Sequence, residues 1–142
     1  AKDAFKGLHN PDKVIDLTYN QIVHIKNYSF EHLISIQEIR LSNNLINSME
    51  GDSFANLKYL TFLKISNNFL TKLNMHSFLN LDSLIELDLS NNLIRELSNS
   101  IFSFLTNLKY LYLYNNQIKI IRDLAFSNLN YIEVLDLSFN KI

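Results

Sequence analysis

The stretch Leu84 to Leu105 reads LIELDLSNNLIRELSNSIFSFL, and nearly every feature in it recurs 24 residues away on both sides. Asn92 has counterparts at Asn20, Asn44, Asn68, Asn116 and Asn140, and Phe102 has counterparts at Phe30, Phe54, Phe78 and Phe126. Apolar columns keep the same register: Ile36, Leu60, Leu84, Leu108, Ile132; Ile15, Ile39, Leu63, Leu87, Leu111, Leu135; and Leu17, Leu41, Ile65, Leu89, Leu113, Leu137. Three more complete the unit: Ile22, Ile46, Leu70, Ile94, Ile118, Ile142; Ile25, Met49, Leu73, Leu97, Ile121; and Leu33, Leu57, Leu81, Leu105, Leu129. Chance does not hold so many columns in register, so the chain is an internal repeat whose unit reads LxxLxLxxNxLxxLxxxxFxxLxx. Its rungs begin at residues 12, 36, 60, 84, 108 and 132.

Each LxLxx segment alternates apolar and polar residues, as a half-buried strand does. This predicts short strands near Val14–Thr18, Glu38–Ser42, Phe62–Ser66, Glu86–Ser90, Tyr110–Tyr114 and Val134–Ser138. Strands from successive rungs must run parallel. The return carrying the phenylalanine has no sustained helical period, so irregular or short helical turns are expected on the outer face. Narrow strands on one side and wider returns on the other bend the stack into a curved solenoid with a concave parallel sheet. Where the chain leaves the sheet, backbone groups lose their strand partners. Stacked asparagines offer both a carbonyl and an NH2 group to replace them. The phenylalanines should form a packed spine closing the interior on the convex side.

The rung pattern resembles the leucine-rich repeat, and within it the typical class, which has 24-residue units and a phenylalanine between the last two leucine positions. The resemblance covers Val14 to Ile142 and implies an α/β repeat fold, a curved horseshoe segment of solenoid. Proteins of this class include Toll-like receptors, the insect adhesion protein chaoptin, secreted insect immune proteins and small leucine-rich proteoglycans. The Gly-x-Ile-Pro of plant receptors is missing, Pro11 being the only proline, and the longer helical units of the ribonuclease-inhibitor class do not fit these rungs.

Apolar residues make up 47% of the chain, which excludes a disordered polypeptide, while apolar runs of a few residues fall far short of the ~18 needed for a membrane span. The net charge of −1, with both signs interspersed, gives no global attraction to nucleic acid or to an anionic membrane. The AKDAFKG start has neither an initiator Met nor an apolar signal segment. Cysteine is absent, whereas extracellular relatives usually close both ends with cysteine-rich caps; a reducing compartment or an interior piece lacking its caps would each account for this. Ala4 to Leu8 resemble the tail of an earlier rung, displaced by the His9-Asn10-Pro11-Asp12 turn, and Ile142 falls in mid-rung. The expected organisation is therefore the tail of a preceding repeat over 1–13, then an uncapped interior stretch of solenoid over 14–142 with five full repeats and the start of a sixth. Rung 1 is the weakest, since Asp12 fills its first apolar column just after Pro11.

Nothing in the sequence forms a catalytic or metal-binding constellation. There is no thiol, His9, His24, His32 and His76 occupy unrelated rung positions and read as surface or capping residues, and Gly7 and Gly51 make no phosphate-cradling loop. Glu86 and Asp88 share a strand face, but polar concave positions produce such pairs routinely. No enzyme activity and no cofactor are expected.

What remains is a surface. Tyr110, Tyr112 and Tyr114 alternate along one strand and so project from one face, with Val134 and Phe139 on the next rung and Phe62 on the same sheet. Such aromatic clusters anchor protein interfaces, although they also pack across neighbouring strands to stabilise a sheet. A second column runs Asp16, Arg40, Lys64, Asp88, Tyr112, Asp136, in which Asp16–Arg40 and Lys64–Asp88 are candidate lateral pairs. Their alternation favours mutual cancellation over a dedicated site for an anion. The ligand-binding candidates are Tyr110, Tyr112, Tyr114, Phe139, Phe62, Arg40, Lys64 and Asp88. Asn27-Tyr28-Ser29 is a glycosylation sequon on the outer return of rung 1, clear of the sheet.

Joined to the resemblance, these features imply a non-catalytic, extracellular or cell-surface recognition module. It would bind a protein or other macromolecule through its concave or lateral face, as part of an innate-immune receptor or secreted immune factor. Two alternatives stand beside it: a chaoptin-type adhesion protein that binds copies of itself, and a cytosolic scaffold. No nucleic-acid partner and no membrane contact of this segment are indicated.

Overall fold

The computed structural model describes Phe5 and residues 13–142. The tail expected over Ala4–Leu8 (Phe5 apart) and the His9-Asn10-Pro11-Asp12 turn lie outside those residues. Ten short strands follow in order: β1 (Val14–Asp16), β2 (His24–Ile25), β3 (Glu38–Arg40), β4 (Ser48–Met49), β5 (Phe62–Lys64), β6 (Glu86–Asp88), β7 (Glu96–Leu97), β8 (Tyr110–Tyr112), β9 (Ile120–Ile121) and β10 (Val134–Asp136). Six of them form one sheet in the order β1-β3-β5-β6-β8-β10, parallel throughout. The register steps by one rung at each pairing, as in Ile39↔Leu63, Leu63↔Leu87 and Leu87↔Leu111.

The concave strands are three residues long, shorter than the alternation predicts. The reason lies just beyond each strand, where Tyr19, Asn43, Asn67, Asn91, Asn115 and Phe139 all have positive φ, between 50° and 58°. Asparagine tolerates that left-handed conformation better than most side chains, and it fills four of the six places. The turn swings the chain off the sheet one residue before the repeating asparagine.

That asparagine replaces the lost sheet bonds. Asn92 Nδ2 donates to the carbonyls of Ile65, Leu89 and Ser90 at 3.0 to 3.1 Å, and its Oδ1 accepts from the Leu70 N–H at 3.0 Å. Asn68 and Asn116 repeat this scheme one rung to either side. Asn44, Asn68, Asn92 and Asn116 are buried, whereas Asn20 in rung 1 is exposed and Asn140 is half-buried.

Behind the sheet, Ile39, Leu63, Leu87 and Leu111, with Leu41, Ile65, Leu89 and Leu113, lose all contact with solvent. The phenylalanines close the far side. Phe5 stacks on Phe30 and Phe30 on Phe54, with ring centroids 5.6 and 5.3 Å apart. Phe78, Phe102 and Phe126 form a second run at 6.2 Å spacing. Among the described residues no ring contact joins Phe54 to Phe78.

The same place interrupts a second ladder, which runs through returns whose sequence predicts irregular or short helical turns. β2 pairs with β4, and β7 with β9, both parallel. The apolar column Ile25, Met49, Leu97, Ile121 anchors these two-residue strands, three of its members being buried. Rung 3 contributes none. Its Asn74 side chain accepts from the His76 N–H and caps a 3-10 turn, Met75–Phe78, which draws the backbone of residues 71–74 out of the ladder. A notch of about 390 Å³ lies there, lined by Met49, Lys72, Leu73, Met75 and Ile101 among others.

A candidate binding face

β8 places Tyr110, Tyr112 and, just past its end, Tyr114 on the concave face because their strand neighbours Leu111 and Leu113 point into the core. All three tyrosines are half-buried. The Tyr110 hydroxyl donates to Glu133 Oε2 at 2.9 Å, and Lys109 Nζ lies 2.8 Å from the other oxygen of that carboxylate. The ammonium, then the phenol, hold the Glu133 carboxyl below its usual range, while the carboxylate raises both donors. Tyr114 Oη accepts from Asn91 Nδ2 at 3.4 Å. Beside this group, Val134 faces solvent on the outer strand and Phe139 is 81% exposed in its left-handed turn. Phe62 is separated from Tyr110 by Glu86 in the register, so it joins the patch at one strand's remove.

The charged column divides in two. Arg40 lies 2.7 Å from Glu38 through Nε and 3.3 Å from Asp16, which raises its basicity further. Lys64 corrects one expected pairing: its ammonium turns to Glu86 at 3.5 Å and Glu38 at 3.9 Å rather than to Asp88. Asp88 is held by its own turn, where Oδ1 accepts from the Ser90 N–H at 3.0 Å and from Ser90 Oγ at 2.6 Å. Asp16 with Thr18, and Asp136 with Ser138, repeat this Asx turn. For Asp136 the Ser138 hydroxyl, then its N–H, pull the carboxyl below its ordinary range. An aspartate two residues before a serine or threonine bonds its own turn through one oxygen, which leaves the other open to a cation, as Asp16 shows with Arg40.

Two further surface features flank the sheet. Leu45, Phe69 and Leu93 follow the ladder asparagine on consecutive rungs and form an apolar row on the flank where the chain leaves the sheet, Leu45 and Phe69 being nearly half exposed. The signal was present, as an apolar residue at a position where other rungs carry glutamine or lysine. On the opposite flank an open groove of about 620 Å³ is lined by Thr61, Ile85, Lys109 and Tyr131 among others, next to the Tyr110–Glu133 bond.

Asn27 is exposed on the outer return. Its Oδ1 accepts from the Asp52 N–H at 2.9 Å and its own N–H donates to Glu50, which fixes the side chain by its carbonyl. Of the histidines, His24 Nδ1 meets Ser48 Oγ at 2.7 Å, His32 lies 3.5 Å from Glu31 and His76 sits in the 3-10 turn; His9 is outside the described residues. Among the described residues no group of three or more His, Asp and Glu side chains could hold a metal ion, and no helix is long and apolar enough to cross a membrane.

Comparison with known proteins follows the same periodicity. The family model described as "Leucine rich repeat" matches three overlapping stretches, 13–68, 58–118 and 83–142. A search of the curated proteins found no match. Among solved structures, one titled "Crystal structure of TLR13-ssRNA13 complex" is similar, with 30% identity and a TM-score of 0.66 over 89% of this chain. The chain spans about a fifth (21%) of that receptor chain. Because the family matches run without a break from residue 13 to residue 142, the chain belongs to the leucine-rich repeat family, and its repeats are similar to those of Toll-like receptors.

Proposed function

We propose that this chain is part of a non-catalytic recognition ectodomain, of an innate-immune receptor or a secreted immune factor, and that it binds a protein through the β8–β10 end of its concave sheet. The observation that carries the reading is the tyrosine triad. Tyr110, Tyr112 and Tyr114 share one face of a rigid strand, half-buried and half-available, with the exposed Phe139 and Val134 beside them. Tyrosine offers a large contact area with few rotamers to freeze, which suits a preformed interface.

The similar receptor structure was solved with single-stranded RNA, so a solenoid of this kind can hold a macromolecule. For this chain a protein ligand is favoured over a nucleic acid by the concave charge. Asp16, Glu38, Glu86, Asp88 and Asp136 outnumber Arg40 and Lys64, and both cations are already paired. A polyanion needs the opposite balance. The extracellular reading is supported by the exposed sequon and by the receptor likeness. Asn27 is bound by its carbonyl, so its amide nitrogen is available to carry a glycan without disturbing that bond.

The test is a binding screen of the chain against arrayed secreted and cell-surface proteins, repeated for each binder with Tyr110, Tyr112 and Tyr114 all replaced by serine. Binding should drop at least tenfold while the chain still unfolds in one cooperative transition above the assay temperature. Undiminished binding by the triple variant would remove the concave face from the reading. Expression in secreting animal cells with mass spectrometry of the Asn27 peptide tests the compartment, and glycan occupancy is the expected outcome.

A further inference from the structure

The two halves of the concave charge column differ in one respect that gives the partner a chemistry. In the β1–β3–β5 half every cation has carboxylates within reach, Arg40 with Glu38 and Asp16, Lys64 with Glu86 and Glu38. In the β6–β8–β10 half the register runs Asp88↔Tyr112↔Asp136, and among the described residues neither aspartate has a cationic partner. Each is engaged through Oδ1 alone, by the serine two residues on. Strands lie ~4.8 Å apart, so two carboxylates stand about 10 Å apart with a phenol ring between them.

We propose that this triplet receives a lysine or arginine side chain of a basic segment of a protein partner, the cation lying over the Tyr112 ring with the Asp88 and Asp136 carboxylates on either side. The inference rests on the concave-face reading above and adds what that face selects. Charge complementarity commits the occupant: a cation between the two carboxylates is attracted by both at about half their separation, and the ring's electron-rich face adds to that attraction. The Asx turns hold both carboxylates in place before binding, so little side-chain freedom is lost when the cation arrives. The bonds from Ser138 favour the ionised form of Asp136. Tyr110 and Tyr114, on the same face above and below, give the apolar stem of a long cationic side chain a surface to lie along. The neighbouring Glu133 is already neutralised by Lys109, which leaves the triplet as the free negative centre of this end.

Hexa-arginine, hexaglutamate and oligothymidylate, titrated into the chain and followed by tyrosine fluorescence and calorimetry, test this. Hexa-arginine should bind, more weakly as salt rises, and hexaglutamate and oligothymidylate should not. The double variant Asp88→Asn/Asp136→Asn keeps an oxygen acceptor for each Asx turn and removes only the charge. It should lower hexa-arginine affinity about tenfold or more, as loss of close charge complementarity does. Asp16→Asn, whose carboxylate already serves Arg40, should change it little. Equal hexa-arginine binding by the double variant, or oligothymidylate binding tighter than hexa-arginine, overturns the proposal. The two readings separate through the protein partners found in the screen. Partners lost with the tyrosine triple variant but retained in full by the double variant leave the concave face standing and sink the cation site. Hexa-arginine weakened by the double variant, with protein partners indifferent to both variants, overturns the concave-face reading and with it the use of the triplet by a protein partner.

Discussion

Replacing Asn92 by leucine should destabilise the chain by about 2–4 kcal/mol, and the figure follows from which backbone groups the amide serves. The carbonyl of Ile65 accepts from Asn92 and also from Asn68, that of Leu89 from Asn92 and also from Asn116, and that of Ser90 from Asn92 and also from the Asn67 N–H. Each keeps one donor when Asn92 is lost. Among the described residues the Leu70 N–H has only Asn92 Oδ1, at 3.0 Å, and would be left alone in the interior. An orphaned buried N–H costs about 1–3 kcal/mol, and three weakened carbonyls, each keeping a donor, add roughly 0.5 each, from which the better burial of leucine subtracts. Asn20 provides the internal control, since it is exposed and among the described residues its Nδ2 reaches only the Leu17 and Thr18 carbonyls, at 3.1 Å. Asn20→Leu should cost under about 1 kcal/mol. Urea unfolding of both variants against the parent chain is the assay, with m-values compared to verify that the same surface is exposed. Equal midpoints for the two variants, or a loss below about 0.5 kcal/mol for Asn92→Leu, would refute the idea that the ladder works by satisfying buried backbone.

The phenylalanine spine gives a second prediction: Phe78→Ala, at a fully buried ring, should cost about 3–5 kcal/mol in the same assay. Amide hydrogen exchange should be fastest, within the outer returns of rungs 2 to 4, at residues 71–74, where the second ladder is interrupted; protection there equal to that of β4 and β7 would show the ladder to be continuous. Acid should destabilise the chain. The carboxyls of Glu133, Asp16 and Asp136 are depressed by their partners, so their stabilisation is complete above their ordinary values of 4.5, 3.8 and 3.8 and is lost as pH falls through the lower folded-state values. Melting temperature should therefore fall below about pH 4.5, and less steeply in Glu133→Gln, which no longer titrates.

Periodicity alone determined the architecture of this protein. Identical spacing of apolar residues forces successive strands into parallel register, because a one-residue slip would turn Leu87 out and Asp88 in. It also placed the asparagines where backbone pairing fails and put three tyrosines on one face, since a strand has a period of two. What periodicity could not decide is where one rung departs from the rest. Asn74 and Met75 occupy ordinary positions of the repeat, yet together they favour a short helical turn that removes rung 3 from the outer ladder and parts Phe78 from Phe54. Only the tertiary structure showed that Lys64 has two carboxylates nearer than Asp88, and that Asp88 is held by Ser90. A long flexible ammonium chooses its partner by distance in three dimensions, and a short carboxylate chooses by local chain geometry. From that division of the charges, and not from the list of them, comes the unpaired Asp88–Tyr112–Asp136 surface.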